Sequence, residues 1–249
     1  MQPIAGASEL AALCATAVAI GAGHTLLGPD HYVPFAVMSR AGRWSAGKTA
    51  ALTAACGLGH VAGSVVIGVA AIAAGTALAP IEGLEGLRGD VAAWLLVGVG
   101  LAYGAWGLVR ASRHRIDGHA HPHVHADGTV HVHPHAHSGE HLHVHAAEAA
   151  GGGATRSVWA PWALFLVFLF GPCEPLIPLL MVPATTLGPL AVGAVAAAFA
   201  AATVVTMVAA VLALRAGFGV VRAPRLERYG HALAGLAVAA CGLLVVAGL

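Results

Sequence analysis

Long apolar segments interrupted by few charges constrain the fold of this chain more than any other feature. A helix that crosses a bilayer needs about 20 mainly apolar residues. Six segments reach that length: 8–38, 49–79, 91–110, 158–186, 188–214 and 229–249. Only 9% of the 249 residues are charged, whereas a soluble domain carries about 25%. The sequence therefore predicts an all-α membrane protein with six transmembrane helices in contact with the lipid bilayer.

The basic residues predict how these helices are oriented. With six spans, eleven of the twelve Lys and Arg residues fall on one side of the membrane, and only Arg88 falls on the other, beside Glu82, Glu85 and Asp90. Cytoplasmic loops are enriched in Lys and Arg, so the eleven residues mark the cytoplasmic side. We therefore expect a multi-pass protein of the inner (plasma) membrane with both termini outside. A net charge of +1 gives no reason to expect a nucleic-acid partner.

Two similar motifs are predicted to break two of the helices. The motif Gly28–His31 reads Gly-Pro-Asp-His, and the motif Gly171–Glu174 reads Gly-Pro-Cys-Glu. Proline removes a backbone donor and clashes with the preceding helical turn. Unwound backbone within a membrane is tolerated only where it is buried in protein or lines a cavity. Spans one and four are therefore predicted to be broken helices that carry a site.

The placement of the motifs also predicts the organisation of the chain. Each motif begins a group of three spans, and because three is odd, the two groups would enter the membrane in opposite directions. Paired broken helices in such inverted repeats usually form the substrate site of a transporter. The expected organisation is a first transmembrane half over 1–111, a loop over 112–157 and a second transmembrane half over 158–249.

Side chains able to bind a metal surround the two predicted breaks. The candidate ligands are Asp30, His31 and Glu174, followed by His24, His60 and Cys173. Asp30 and Glu174 are expected to be the only carboxylates well inside the spans, where a charge costs at least about 2.5–3.5 kcal/mol and usually has a function. Imidazole with carboxylate and thiol suits Ni²⁺, Co²⁺ or Zn²⁺, whereas Mg²⁺ and Ca²⁺ prefer oxygen ligands. Alternatively, Asp30 lies at a hydrated helix end and His60 forms a structural hydrogen bond.

A histidine-rich segment lies between spans three and four. Twelve of the 16 histidines fall between His114 and His145, mostly as His-x-His. The residues expected to capture metal are His119, His121, His123, His125, His131, His133, His135, His137, His141, His143 and His145. Such tracts chelate divalent ions through neutral imidazoles. Its Pro, Gly and Asp content predicts disorder until metal binds. A solubilising linker or a pH-responsive patch is the alternative.

These features resemble the nickel/cobalt transporter and UreH-like families of the LysE-type superfamily. The segment His24–His31 is similar to their His-x-x-Gly-Pro-Asp-His signature with one residue inserted, and Leu58–Val66 is similar to their Leu-Gly-His-Ser-x-Val-Val element. Six spans with a central His-rich loop resemble the efflux branch. The resemblance implies a transporter of Ni²⁺ or Co²⁺ and not an enzyme, with efflux favoured over uptake. The metal would be cargo, with no permanently bound cofactor, and the two carboxylates suggest proton coupling.

Three other functions are compatible with parts of this sequence. The motif around Cys173 looks more like the Pro-Cys breaks of disulfide-reductant transporters, which need a second cysteine to exchange electrons. Asp30 occupies the equivalent place, so Cys14 or Cys56 would have to approach Cys173. An anion exporter is disfavoured because no basic residue accompanies the carboxylates inside the predicted spans. A membrane accessory protein for maturation of a metalloenzyme stays open, as do the metal, the direction and a homo-oligomeric state.

Overall fold

A computed structural model describes residues 3–75, 78–113, 120–124, 130–134, 159–220 and 228–248. This part of the chain is almost entirely helical. The helices are α1 (Pro3–Leu27), α2 (Val33–Ala41), α3 (Ala46–Ala73), α4 (Leu78–Arg113), α5 (Trp159–Phe170), α6 (Leu176–Thr186), α7 (Pro189–Val220) and α8 (Gly230–Val246). A 3-10 turn, Pro29–His31, joins α1 to α2, and a short hairpin is formed by β1 (Ala120–Val124) and β2 (Val130–Pro134).

Several of the helices are long and apolar enough to cross a membrane. In the described part of the chain, four segments meet both criteria: Gly6–Leu27, Ala46–Ala73, Pro80–Ser112 and Pro189–Phe218. Helices α6 and α8 are also apolar but shorter. The fold is therefore that of an all-α protein with membrane-spanning helices, as the sequence predicts at this level. The total of six spans and the inverted repeat stay predictions.

Both Gly-Pro motifs interrupt a helix, as predicted. Helix α1 ends at Leu27, and α2 begins at Val33 after the 3-10 turn. Helix α5 ends at Phe170, and α6 begins at Leu176. At 1.5 Å per residue, α5 is about 18 Å long and α6 about 16 Å. Over the described residues, each is little more than half of the ~30 Å hydrocarbon core of a bilayer.

The third helix begins much earlier than the sequence analysis predicted. The predicted span covered 91–110, whereas α4 runs from Leu78 to Arg113. Glu85 therefore lies within a membrane-spanning helix and is only 1% exposed. The prediction that Asp30 and Glu174 are the only carboxylates inside the spans was wrong. Glu85 and Arg88 form an ion pair three residues apart, so neither is buried as an isolated charge.

Small residues allow α4 and α8 to pack against each other at very short range. A Cβ atom on Gly100 would lie 2.4 Å from the backbone nitrogen of Ala239, and one on Gly235 would lie 2.2 Å from the nitrogen of Gly104. Membrane helices associate through such close contacts because lipid supplies no hydrophobic force between them. This packing places the C-terminal end of α8 beside the middle of α4.

Part of the histidine-rich loop forms a hairpin. Its backbone pairs antiparallel, with His121 opposite His133 and His123 opposite His131. Disorder before metal binding was expected for the whole loop. The backbone is instead ordered as paired strands over Ala120–Val124 and Val130–Pro134. The His-x-His alternation has the two-residue period of a strand, which favours this conformation. The other candidate loop ligands lie outside the described residues: His119, His125, His135, His137, His141, His143 and His145.

Candidate metal centre

Three histidines from different elements converge next to the first helix break. His24 lies on the last turn of α1, His31 on the 3-10 turn and His60 in the middle of α3. The ring centroids of His24 and His31 are 4.7 Å apart, and those of His31 and His60 are 5.1 Å apart. The residue inserted between His24 and Asp30 therefore does not separate the first two histidines. The chain leaves the helix after Leu27, and the turn brings His31 back towards His24.

One ring nitrogen of each histidine is buried without a partner. The Nε2 atoms of His24, His31 and His60 have no hydrogen-bond partner in the described part of the chain. Leaving a buried polar atom unsatisfied costs about 1–3 kcal/mol, and such atoms in a folded protein usually have a specific reason. A cation bound beside these rings would give such an atom the partner that it lacks.

The other ring nitrogen of two histidines is oriented by an acceptor. His60 Nδ1 lies 3.3 Å from the carbonyl oxygen of Phe168. His31 Nδ1 lies 3.1 Å from Asp30 Oδ1 and 3.2 Å from the carbonyl oxygen of Gly28. Carbonyl and carboxylate oxygens only accept, so each neutral ring donates from Nδ1 and keeps a lone pair on Nε2. Histidines that bind metals are commonly held in this way.

Cys173 adds a sulfur atom to this group. The ligand atoms of His24, His60 and Cys173 all lie within 4.8 Å of one another, and the thiol is fully buried. Around a tetrahedral ion with bonds of about 2.0–2.3 Å, donor atoms lie about 3.4–3.6 Å apart. An inward shift of about 1 Å would therefore bring the three donors to binding distance. The second break thus contributes to the same site as the first.

The two predicted carboxylate ligands have different positions. The carboxylate of Asp30 contacts the Nδ1 atom of His31, and the Asp30 side chain is 26% exposed. Asp30 therefore supports a histidine and is not itself among the converging donors. Glu174 is exposed and lies on the wall of the neighbouring cavity. In the described part of the chain, the donor atoms that converge come from His24, His60 and Cys173, with His31 beside them. The structure thus brings together five of the six candidate residues and leaves Glu174 apart from them.

A cavity connects the histidines to the protein surface. Its volume is about 460 Å³, and its walls include His24, His31 and His60 together with Asp30 and Glu174. Because exposed Glu174 and Gly248 also line it, the cavity reaches the outside of the protein near the C-terminal end of α8. Neutral imidazoles with a thiol suit Zn²⁺, Ni²⁺, Co²⁺ and copper, while the carboxylates could attract a cation towards them.

Four groups that form hydrogen bonds at the second helix break were not predicted from the sequence. These are the carbonyl oxygen of Phe168 and the side chains of Ser64, Glu85 and Arg88. The available signals were the three-residue spacing of Glu85 and Arg88 and the position of Ser64 one helical turn after His60. It is also predictable that a proline removes the helical donor of the carbonyl four residues before it. Which side chain then donates to that carbonyl is not predictable.

Comparisons of the chain with protein-family models, with curated proteins and with solved structures found no match. The class of protein is defined by the structure alone: an all-α protein with membrane-spanning helices and a buried histidine–cysteine group. The resemblance to nickel/cobalt transporters stays an expectation from the motifs.

Proposed function

We propose that this protein transports a divalent transition-metal cation across the membrane, with Ni²⁺ or Co²⁺ the first candidates and Zn²⁺ also suited. The observation that carries the proposal is the convergence of His24, His60 and Cys173, whose donor atoms all lie within 4.8 Å of one another. The ring of His31 lies beside them, and the Nε2 atoms of all three histidines are buried without a partner among the described residues. The sulfur of Cys173 supports the choice of a borderline metal, because hard cations such as Mg²⁺ prefer oxygen donors.

The position of the site supports transport over permanent storage of a metal. It lies between two interrupted helices, where broken segments of transporters usually bind their substrate. A cavity extends from the histidines to the surface, so a bound cation would have a route to water. The ligands come from both halves of the chain, His24, His31 and His60 from the first and Cys173 from the second. Relative movement of the halves would change the spacing of the donors and release the cation.

We propose six spans in two inverted halves, with both termini outside the cell and the histidine-rich loop in the cytoplasm. In that orientation the C-terminal end of α8 is on the outer side, so the cavity lined by Val245 and Gly248 opens outwards. Metal gathered by the loop would reach the histidines from the cytoplasm and leave past Asp30 and Glu174. Protonation of these carboxylates after release would couple export to proton entry. Efflux is therefore favoured over uptake.

The alternative functions have less support from the site. A thiol electron carrier needs two cysteines that exchange electrons, and Asp30 stands at the place in the first motif that Cys173 occupies in the second. For an anion exporter, Arg88 does lie within α4, but it is bonded to Glu85 and is not available to an anion. A metal-binding accessory protein would bind the same cation without moving it, so only a flux measurement separates that function from transport.

The test is metal flux into proteoliposomes that contain the purified full-length protein and a metal-sensitive dye. Ni²⁺, Co²⁺, Zn²⁺ and Mn²⁺ are added to the solution outside the vesicles. A second set of vesicles contains a pH-sensitive dye, which reports proton movement. We expect flux of at least one of the first three ions, loss of that flux in His60→Ala, and wild-type flux in His231→Ala. His231 is a suitable control because it pairs with Tyr103 on α4, away from the metal centre. Binding without flux would support the accessory function, and neither binding nor flux would contradict the proposal.

A further inference from the structure

A buried ion pair lies next to the second helix break. Arg88 and Glu85 are bonded on α4, and their side chains are 14% and 1% exposed. Charges within a membrane-spanning helix are costly and usually functional. The pair is not a donor to the metal centre, since the converging atoms belong to His24, His60 and Cys173. Its function must therefore be sought in the groups that it contacts.

Arg88 binds backbone oxygens that the break has freed. In a continuous helix, the carbonyl of Gly171 would accept from residue 175 and that of Leu169 from residue 173. Residue 175 is proline and has no N–H, and the N–H of Cys173 points elsewhere. Arg88 Nη2 donates instead to both oxygens, at 3.4 Å to Gly171 and 3.3 Å to Leu169. These carbonyls are therefore occupied by a guanidinium and are not free to bind a cation.

Glu85 binds the backbone on the other side of the break. The N–H of Cys173 donates to Ser64 Oγ at 3.0 Å and to Glu85 Oε2 at 3.3 Å. Ser64 Oγ in turn donates to Glu85 Oε2 at 3.0 Å. Ser64 lies one turn after His60 on α3, so this network ties the backbone of Cys173 to the helix that carries a histidine of the metal centre.

We propose that Glu85 and Arg88 are positioning residues that select the donors of the second break: the sulfur of Cys173 faces the cation, and the backbone oxygens do not. This inference rests on the proposed metal transport and deepens it. Unwound carbonyls in transporters commonly bind Na⁺, a hard cation. With the carbonyls of Leu169 and Gly171 bound to Arg88, the site keeps nitrogen and sulfur donors, which select borderline transition metals over hard cations.

The test uses Co²⁺ as the probe on purified full-length protein in nanodiscs. Thiolate ligation of Co²⁺ produces a charge-transfer absorption, which should appear in the wild type and disappear in Cys173→Ser. Removing one partner of a buried pair can unfold a protein, whereas replacing both is often tolerated. The main variant is therefore Glu85→Gln with Arg88→Met. Its matched control is Glu82→Gln with Arg110→Met, which changes the same charges elsewhere on α4.

We expect the main variant to bind Co²⁺ through its histidines but to lose the thiolate band. Its preference for Co²⁺ over Mn²⁺ should fall about ten- to a hundredfold, the usual effect of losing a group that supports a ligand. Ser64→Ala is a milder probe and should weaken the band. Arg88→Lys keeps the charge beside Glu85 and should retain the band. The control variant should match the wild type in both measurements.

Two outcomes would overturn the assignment. In one, the main variant keeps the wild-type band and metal preference. In the other, the wild type binds Co²⁺ in a His60-dependent way but shows no thiolate band. Either result leaves the proposed transport function intact. Absence of any His60-dependent Co²⁺ binding would instead contradict the proposed function itself, so the two failures are distinguishable.

Discussion

The Nδ1 atom of His60 lies 3.3 Å from the carbonyl oxygen of Phe168. Pro172 has no N–H to donate to this oxygen, which accepts instead from the N–H of Gly171 at 3.1 Å. The oxygen at the proline break thus also serves as the acceptor that orients a histidine of the metal centre. The first break contains a similar relationship, because His31 Nδ1 lies 3.2 Å from the carbonyl oxygen of Gly28. In both motifs, a carbonyl oxygen at the interruption of the helix lies next to an imidazole nitrogen.

The glycines of the two motifs are predicted to be required for these histidine positions. A Cβ atom on Gly28 would lie 2.6 Å from His31 Nδ1, and one on Gly171 would lie 2.9 Å from His60 Nδ1. Each added methyl group should therefore rotate an imidazole. We expect Gly28→Ala and Gly171→Ala to weaken Ni²⁺ or Co²⁺ binding about ten- to a hundredfold, as other losses of histidine orientation do. Isothermal titration calorimetry of the purified protein measures the affinity.

Two other glycines provide matched controls for this prediction. A Cβ atom on Gly23 or Gly193 would have no neighbour within 4 Å among the described atoms. Gly23→Ala and Gly193→Ala should therefore bind metal like the wild type. Equal affinity in all four variants would contradict the proposed link between the breaks and the histidines.

Asp30 is predicted to act on the cation through His31. Its carboxylate accepts from His31 Nδ1 at 3.1 Å and so leaves the lone pair on Nε2 for the cation. Asp30→Asn keeps an acceptor oxygen but removes the negative charge, and we expect an affinity loss of about ten- to a hundredfold. Asp90→Asn, an exposed carboxylate on α4, should have no effect on Co²⁺ titrations. A loss of similar size in both variants would indicate a general effect of charge and would contradict a specific action of Asp30 through His31.

The sequence predicted the local features of the site better than its assembly. Proline chemistry acts over one helical turn, so the breaks at Pro29 and Pro172 were predictable from their neighbours alone. The approach of His60 to His24 depends on how α1 and α3 both pack against α7, which no local pattern specifies. The burial of Glu85 was missed because hydropathy counts each charge separately, whereas Glu85 and Arg88 form an ion pair within α4.

The close packing of α4 on α8 predicts a graded stability effect. A Cβ atom on Gly100 would lie 2.4 Å from the Ala239 nitrogen, whereas one on Gly104 would have its nearest contact at 3.5 Å, to the carbonyl oxygen of Ala232. Gly100→Ala should therefore lower the free energy of unfolding by about 1–3 kcal/mol, the usual cost of overpacking. Gly104→Ala should be close to neutral. Thermal unfolding in detergent compares the two, and equal stability would contradict the helix contact.

The histidine-rich loop is predicted to capture metal without being required for transport. Its candidate ligands are separate in sequence from His24, His31, His60 and Cys173. Replacing residues 119–150 by a Gly-Ser linker of equal length should raise the metal concentration needed for half-maximal flux and leave the maximal flux unchanged. Complete loss of flux, with the protein at wild-type levels in the membrane, would refute this division of roles.

The most direct test of the central claim is the cellular content of Ni, Co, Zn, Cu and Mn, measured by mass spectrometry. Cells expressing the wild type are compared with cells carrying an empty vector and with cells expressing the triple variant His24→Ala, His31→Ala, His60→Ala at equal membrane levels. We predict that Ni, Co or Zn falls in the wild-type cells and returns to the vector level in the triple variant. Identical contents of all five metals in the three strains would contradict the assignment of a metal transporter to this site.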